Sequence, residues 1–159
     1  MAQDTQPGAF QITEHRFLKV HFELKVNWCQ STDYLRCNPS FHNATRQDCV
    51  IIRSREGIIF GRLLMLFTCT VGGECYPIAL VHPFDAPVGL RLRKDKYLRS
   101  WRVRQKPAAS SEFIFVRSII RGALLVEDAG YPGTHIVIDT IDGDMFLRIK
   151  ELFAARRQQ

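Results

Sequence analysis

From Phe17 to Leu24 the chain alternates strictly: Phe17, Lys19, His21 and Glu23 interleave with Leu18, Val20, Phe22 and Leu24. Successive side chains of a strand point to opposite sides, so period two predicts a strand with one buried face. The polar, turn-forming run STDYLRCNPSFHNATRQD follows, and an irregular segment is expected there. From Cys49 to Phe84, apolar runs of strand length are broken at Arg55-Glu56-Gly57 and at Gly72-Gly73. This predicts three strands joined by two hairpins, the glycine pair supplying the positive φ angles of a tight turn. A turn at Gly72-Gly73 pairs Val71 with Glu74 and Thr70 with Cys75. Cys69 then lies on the opposite face from Cys75, which forbids a disulfide between them.

Two further segments, Leu90-Arg91-Leu92-Arg93 and Trp101-Arg102-Val103-Arg104, alternate apolar with basic. At strand periodicity Arg91 and Arg93 share one face, and Arg102 and Arg104 share a face of a second strand. PAASSE is expected to be a loop. FIFVRSIIRGALLVED reads as two short strands divided by a turn around Ser118 to Gly122, and HIVIDTI as another strand after a turn at Gly130 to Gly133. The period then changes. Met145, Phe146, Ile149, Leu152 and Phe153 form a helical stripe, with Asp142 placed to cap it, Asp144 suited to its positive end, and Arg156 and Arg157 to its negative end. A hairpin at Asp142-Gly143 is the competing reading.

Six to eight short strands closed by one C-terminal helix predict a mainly β fold: a small antiparallel SH3-like or BAH-like barrel, or a curled sheet. At 159 residues, 46% of them hydrophobic, one globular domain is expected, over residues 17–155, preceded by a flexible tail, 1–16. The most apolar run, IIFGRLLMLF, is too short to span a bilayer and carries Arg62, so no membrane association is expected. The N-terminus lacks the basic start and apolar middle of a signal peptide, and five unevenly spaced cysteines do not make a secreted disulfide framework. Both point to an intracellular, nuclear location.

Charge changes the picture most. Between Arg91 and Lys106 eight Lys and Arg residues face one acid, Asp95, a local balance of +7 in a chain that totals +6. Cations clustered in this way attract nucleic-acid phosphates and release counterions on binding. Tyr97 and Trp101 lie among them and are able to stack on exposed bases. The expected interface, on DNA or RNA, is therefore Arg91, Arg93, Lys94, Lys96, Arg99, Trp101, Arg102, Arg104 and Lys106. Two other readings stay open: a solvated strand face with Trp101 in the core, and docking of an acidic protein partner.

The runs LRCNPSFHNATRQDCVII, IIFGRLLMLF, PIALVHPFDAPVG, RLRKDKYLRSWRVR, ASSEF, RSIIRGALLVED and DMFLRIKELF, spread over residues 17 to 153, carry a family likeness. The chain resembles a β-rich domain found toward the C-terminus of proteins encoded by DNA transposons of mushroom-forming fungi, of the Plavaka and Kyakuja-Dileera-Zisupton kind. The resemblance implies a transposon-derived setting and assigns no catalytic motif.

No catalytic constellation stands out, and a non-catalytic module without cofactor is expected. Ser110-Ser111 has no nucleophile elbow and the five histidines are scattered. Cys29, Cys37, His42 and Cys49 have ligand chemistry but lack the close pairs of zinc sites, so buried free cysteines are expected. Asp139, Asp142 and Asp144 sit within six residues, whereas metal-dependent transposase chemistry needs acids from separated strands. A protein-interaction module, recognising a chromatin tail or another transposase segment, is the alternative function.

Overall fold

The computed structural model describes residues 10–55, 57–84 and 100–156. The chain is mainly β, a curled antiparallel half-barrel with a C-terminal helix. Its strands are β1 (Phe10–His15), β2 (Phe17–Glu23), β3 (Gln30–Phe41), β4 (Ala44–Gln47), β5 (Cys49–Ser54), β6 (Gly57–Val71), β7 (Glu74–Pro83), β8 (Trp101–Arg104), β9 (Glu112–Phe115), β10 (Ile119–Glu127) and β11 (Thr134–Ile138), and the helix is α1 (Gly143–Arg156). One sheet runs in the order β8-β11-β10-β5-β6-β7-β9, with β1 added to β6, and a second runs β2-β3-β4. No helix among the described residues is long and apolar enough to cross a membrane.

The 15-residue β6 is the spine of the large sheet. Its first half pairs with β5 and its second half with β1, while β7 follows it along the other side. Register shifts between Leu63 and Met65 and between Ile119 and Arg121 interrupt the ladders, and irregularities of this kind bend and twist a sheet enough to curl it. Two cores result. Val20, Leu35 and Cys37 of the small sheet pack on Val50, Ile52, Leu63, Ala79 and Val81, all on one face of the large sheet. The other face buries Ile51, Phe60, Phe84, Val103 and Val137 against the stripe Met145, Ile149 and Phe153 of α1.

The hairpins at both glycine turns form as expected, with Val71 opposite Glu74 and Thr70 opposite Cys75. The C-terminal helix also forms: Met145 N–H donates to Asp142 Oδ1 at 2.7 Å, an N-cap bond that decides against the hairpin reading. Three expectations are corrected. Residues 31–48 are not irregular but form most of the β3–β4 hairpin, turned by His42 and Asn43 at φ 47° and 64°. Both central residues are left-handed, so a turn of this shape needs no glycine when Asn takes one position. Residues 10–15, expected in the flexible tail, form β1. The break between β9 and β10 falls at Val116–Ser118, leaving Gly122 inside β10. A Cβ on Gly122 would lie 2.8 Å from Leu35 Cδ2, so glycine is there for close packing and not for a turn. The strand expected at Leu90–Arg93 lies outside the described residues.

Candidate nucleic-acid interface

Five residues of the expected interface, Arg91, Arg93, Lys94, Lys96 and Arg99, lie outside the described residues. The other four do not act together. Trp101 is half-buried with its ring against Phe153 of α1, which makes it a core residue. Arg102 and Arg104 alternate along β8 as expected, yet their surroundings differ. The Arg102 side chain is 5% exposed, 2.6 Å from Asp128 Oδ2, with its guanidinium over the Tyr131 ring. Its charge is internally compensated, which corrects the expectation that it meets phosphate. Arg104 is exposed. Lys106 is half-buried and its backbone holds the chain to β7: its N–H donates to Pro83 O and its carbonyl accepts from His82 Nε2.

A second basic surface emerges from β2, β3 and β4. Antiparallel register puts Phe17 opposite Arg36, Lys19 opposite Tyr34 and His21 opposite Thr32. Directly opposed residues share a face, and their neighbours Leu18, Val20, Phe22 and Leu35 turn the other way, into the protein. The outward face thus alternates rings and cations. Phe17 and Tyr34 remain 60% and 61% exposed. Lys19 Nζ lies 5.9 Å from the Tyr34 ring centre, and the Arg36 and Arg46 guanidinium carbons lie 5.0 and 5.1 Å from that of Phe41. Asp48 accepts from Arg46 at 3.1 Å. Lys19 and Arg36 have no carboxylate partner among the described residues.

Beside this face opens a groove of ≈ 610 Å³ whose lining includes Tyr34, Arg46, Cys49, Arg62, Leu124 and Ile141. Tyr34 and Arg46 belong to both features. Arg62 brings a half-buried guanidinium that also lacks a carboxylate partner among the described residues; its Nη2 is 3.4 Å from His135 Nε2, and it lies over the Phe84 ring. Burial, helped by the Arg62 charge, holds His135 below the usual histidine pKa, so the ring is neutral and accepts from Arg62.

Two of the three acids considered for a metal, Asp142 and Asp144, are held in ion pairs. Asp142 and Asp144 both accept from Arg121, and Asp144 also accepts from Arg148 Nε and from the Lys25 amide, each at 2.7 Å. Burial opposes the Arg121 charge, but its hydrogen bonds to Asp142 and Asp144 prevail and raise its pKa. Cys37 lies in the core, where burial lifts its thiol to about 11, whereas Cys29 is exposed and Cys49 half-buried, which corrects the expectation that these cysteines are buried.

Sequence reasoning did not mark Phe17, Lys19, Tyr34 and Arg36 as a site. The alternation of β2 carried half of the signal, and the other half was hidden while β3 read as irregular. No family model, curated protein or solved structure matches the chain.

Proposed function

We propose that the protein binds single-stranded nucleic acid across the outward face of β2-β3-β4, with Arg104 and the cations between residues 91 and 99 adding phosphate contacts. The observation that carries this reading is the pair of cross-strand couples Phe17–Arg36 and Lys19–Tyr34, which set exposed rings beside cations with no carboxylate partner among the described residues. The solvated face of an antiparallel sheet is ordinarily polar, and what marks this one is the two exposed rings placed directly across from cations. Bases stack on such rings only when splayed out of a duplex, and the interleaved cations meet the phosphates between them. Arg62 carries positive charge into the adjoining groove, where Asp48 already pairs with Arg46. DNA and RNA single strands share this chemistry. The family resemblance, with its transposon setting, is compatible with either.

Fluorescence anisotropy with labelled oligo-dT, oligo-U and a duplex of equal length tests the reading. Single strands are expected to bind more tightly than the duplex, and Tyr34→Ala to weaken them by about 1–3 kcal/mol. Equal affinity for the duplex, or no effect of Tyr34→Ala, contradicts it. The relative affinity of oligo-dT and oligo-U assigns the natural strand.

A further inference from the structure

A second surface lies on the arm of the large sheet beyond α1, on the side opposite the small sheet. Register lines up four rows on one face: Phe10, Val71 and Glu74; Ile12, Cys69 and Tyr76; Glu14, Phe67, Ile78 and Phe115; Met65, Leu80 and Phe113. The intervening rows, with Leu66, Ala79 and Val81, point into the core against the small sheet. Six side chains of the apolar face, Phe10, Ile12, Val71, Tyr76, Phe113 and Phe115, are 43% to 68% exposed.

We propose that this face is the interface of a homodimer. Four of the six exposed residues are aromatic, and at 150–250 Å² per ring the exposed apolar area is on the order of 600 Å². That is the upper end of what monomers leave uncovered, and it approaches the ~800 Å² per partner of a stable interface before any rim is counted. Charge argues against a polyanionic occupant. The rows contain no Lys or Arg, and their only charges, Glu14 and Glu74, sit on the outermost strand and at the hairpin tip. One cation, Arg117, stands beside them, 4.8 Å from the centre of the Phe115 ring, so two carboxylates against one guanidinium give nucleic acid or anionic lipid no net attraction.

Shape favours a second copy. Register sets the smaller side chains Cys69 and Val71 of β6 between the larger Phe10 and Ile12 on β1 and Tyr76, Phe115 and Phe113 on β7 and β9. A two-fold axis can set the large side chains of one copy against the small central row of the other, the self-complementarity an isologous contact requires. Sheets packed this way interdigitate at about 10 Å. β1 itself, FQITEH, has neither the proline nor the lysine with which monomeric proteins commonly guard an edge strand. This inference stands on its own observations, whatever the small sheet binds.

Sedimentation velocity on the full chain, from about 1 to 100 µM, is the direct test, since interfaces of this size commonly give micromolar affinity or better. The expected result is a species of twice 18.3 kDa. Ile12→Lys combined with Phe113→Lys should raise its dissociation constant at least about 100-fold, each charge being buried unpaired, with an unchanged circular dichroism spectrum. Thiol labelling of the unmodified protein gives an independent readout: Cys69 is protected as concentration rises, and Cys75, on the opposite face, is not. A monomer across the range, a dimer unaffected by the double substitution, or Cys69 labelled as fast at high concentration as at low, overturns the proposal.

Discussion

Arg121 Nη1 donates to Asp144 Oδ2 at 2.7 Å, joining the middle of β10 to the first turn of α1 at a point where both residues are almost completely buried. The same guanidinium holds Asp142 at 2.8 Å and approaches Asp33 Oδ2 of β3 at 3.5 Å. One cation therefore ties the small sheet, the large sheet and the helix together. A buried pair is strongly destabilised by losing one partner, because the other charge is left without compensation. Arg121→Met is expected to cost about 3–5 kcal/mol in urea unfolding. Arg121→Met combined with Asp144→Leu should cost clearly less than the two changes summed. Additive losses would show that the pair does not act as a unit.

The pH dependence of stability follows in two steps. His135 has a folded pKa below its ordinary 6.5, with burial the main cause, so its contribution is complete above 6.5 and is lost as pH falls through the depressed folded value. Asp142 is lowered chiefly by its hydrogen bond from Arg121. Asp144 is pushed up by burial, but the hydrogen bonds from Arg148, Lys25 and Arg121 outweigh this and leave it lowered. Their contribution is complete above the ordinary 3.8 and disappears as pH falls through their folded values. Thermal midpoints measured from pH 8 downward should show a first decline below about 6.5 and a second below about 4. His135→Gln should remove the first decline alone.

Arg102 and Arg104 stand two residues apart and should behave oppositely. Arg102→Ser removes the 2.6 Å ion pair with Asp128 at a largely buried position and is expected to cost about 3 kcal/mol. Arg104→Ser changes an exposed side chain, and its effect on stability should stay within about 0.5 kcal/mol. Parallel unfolding curves of the two variants make the comparison.

Gly122 tests how closely the two sheets approach. Its added Cβ would stand 2.8 Å from Leu35 Cδ2 and 3.2 Å from Asp33 Oδ2, which accepts the Gly122 N–H. Gly122→Ala is expected to cost about 1–3 kcal/mol through overpacking, despite the better strand-forming tendency of alanine. A neutral result would mean that Leu35 moves aside freely.

Elements with local signals were legible in the sequence. β5, β6 and β7 followed from apolar runs and glycine turns, and α1 from a stripe of apolar residues with an acidic cap. What remained hidden depends on distant partners. β3 carries Tyr34 and Arg36 on an outward face that is not apolar, and its turn uses His42-Asn43 in place of glycine, so neither its pattern nor its end resembled a strand. β1 does alternate, but neither of its faces is buried, and burial is what makes alternation persuasive. Strand period correctly placed Arg102 and Arg104 on one side of β8. It gave no hint that Asp128, supplied from the end of β10, neutralises one of them. The binding face failed to appear for a similar reason: half of it belongs to β2 and half to β3, and only the register of the two brings rings and cations together.

The salt dependence of single-strand binding tests the central claim most directly. With Lys19, Arg36, Arg104 and the cations between residues 91 and 99 neutralising phosphates, the logarithm of affinity should fall linearly with the logarithm of salt, by about 0.7 per phosphate. Lys19→Ser with Arg36→Ser should make the slope shallower by up to about 1.4, while leaving thermal stability unchanged. A slope identical in the wild type and the double variant would contradict the account, because the outward face of β2-β3-β4 would then touch no phosphate.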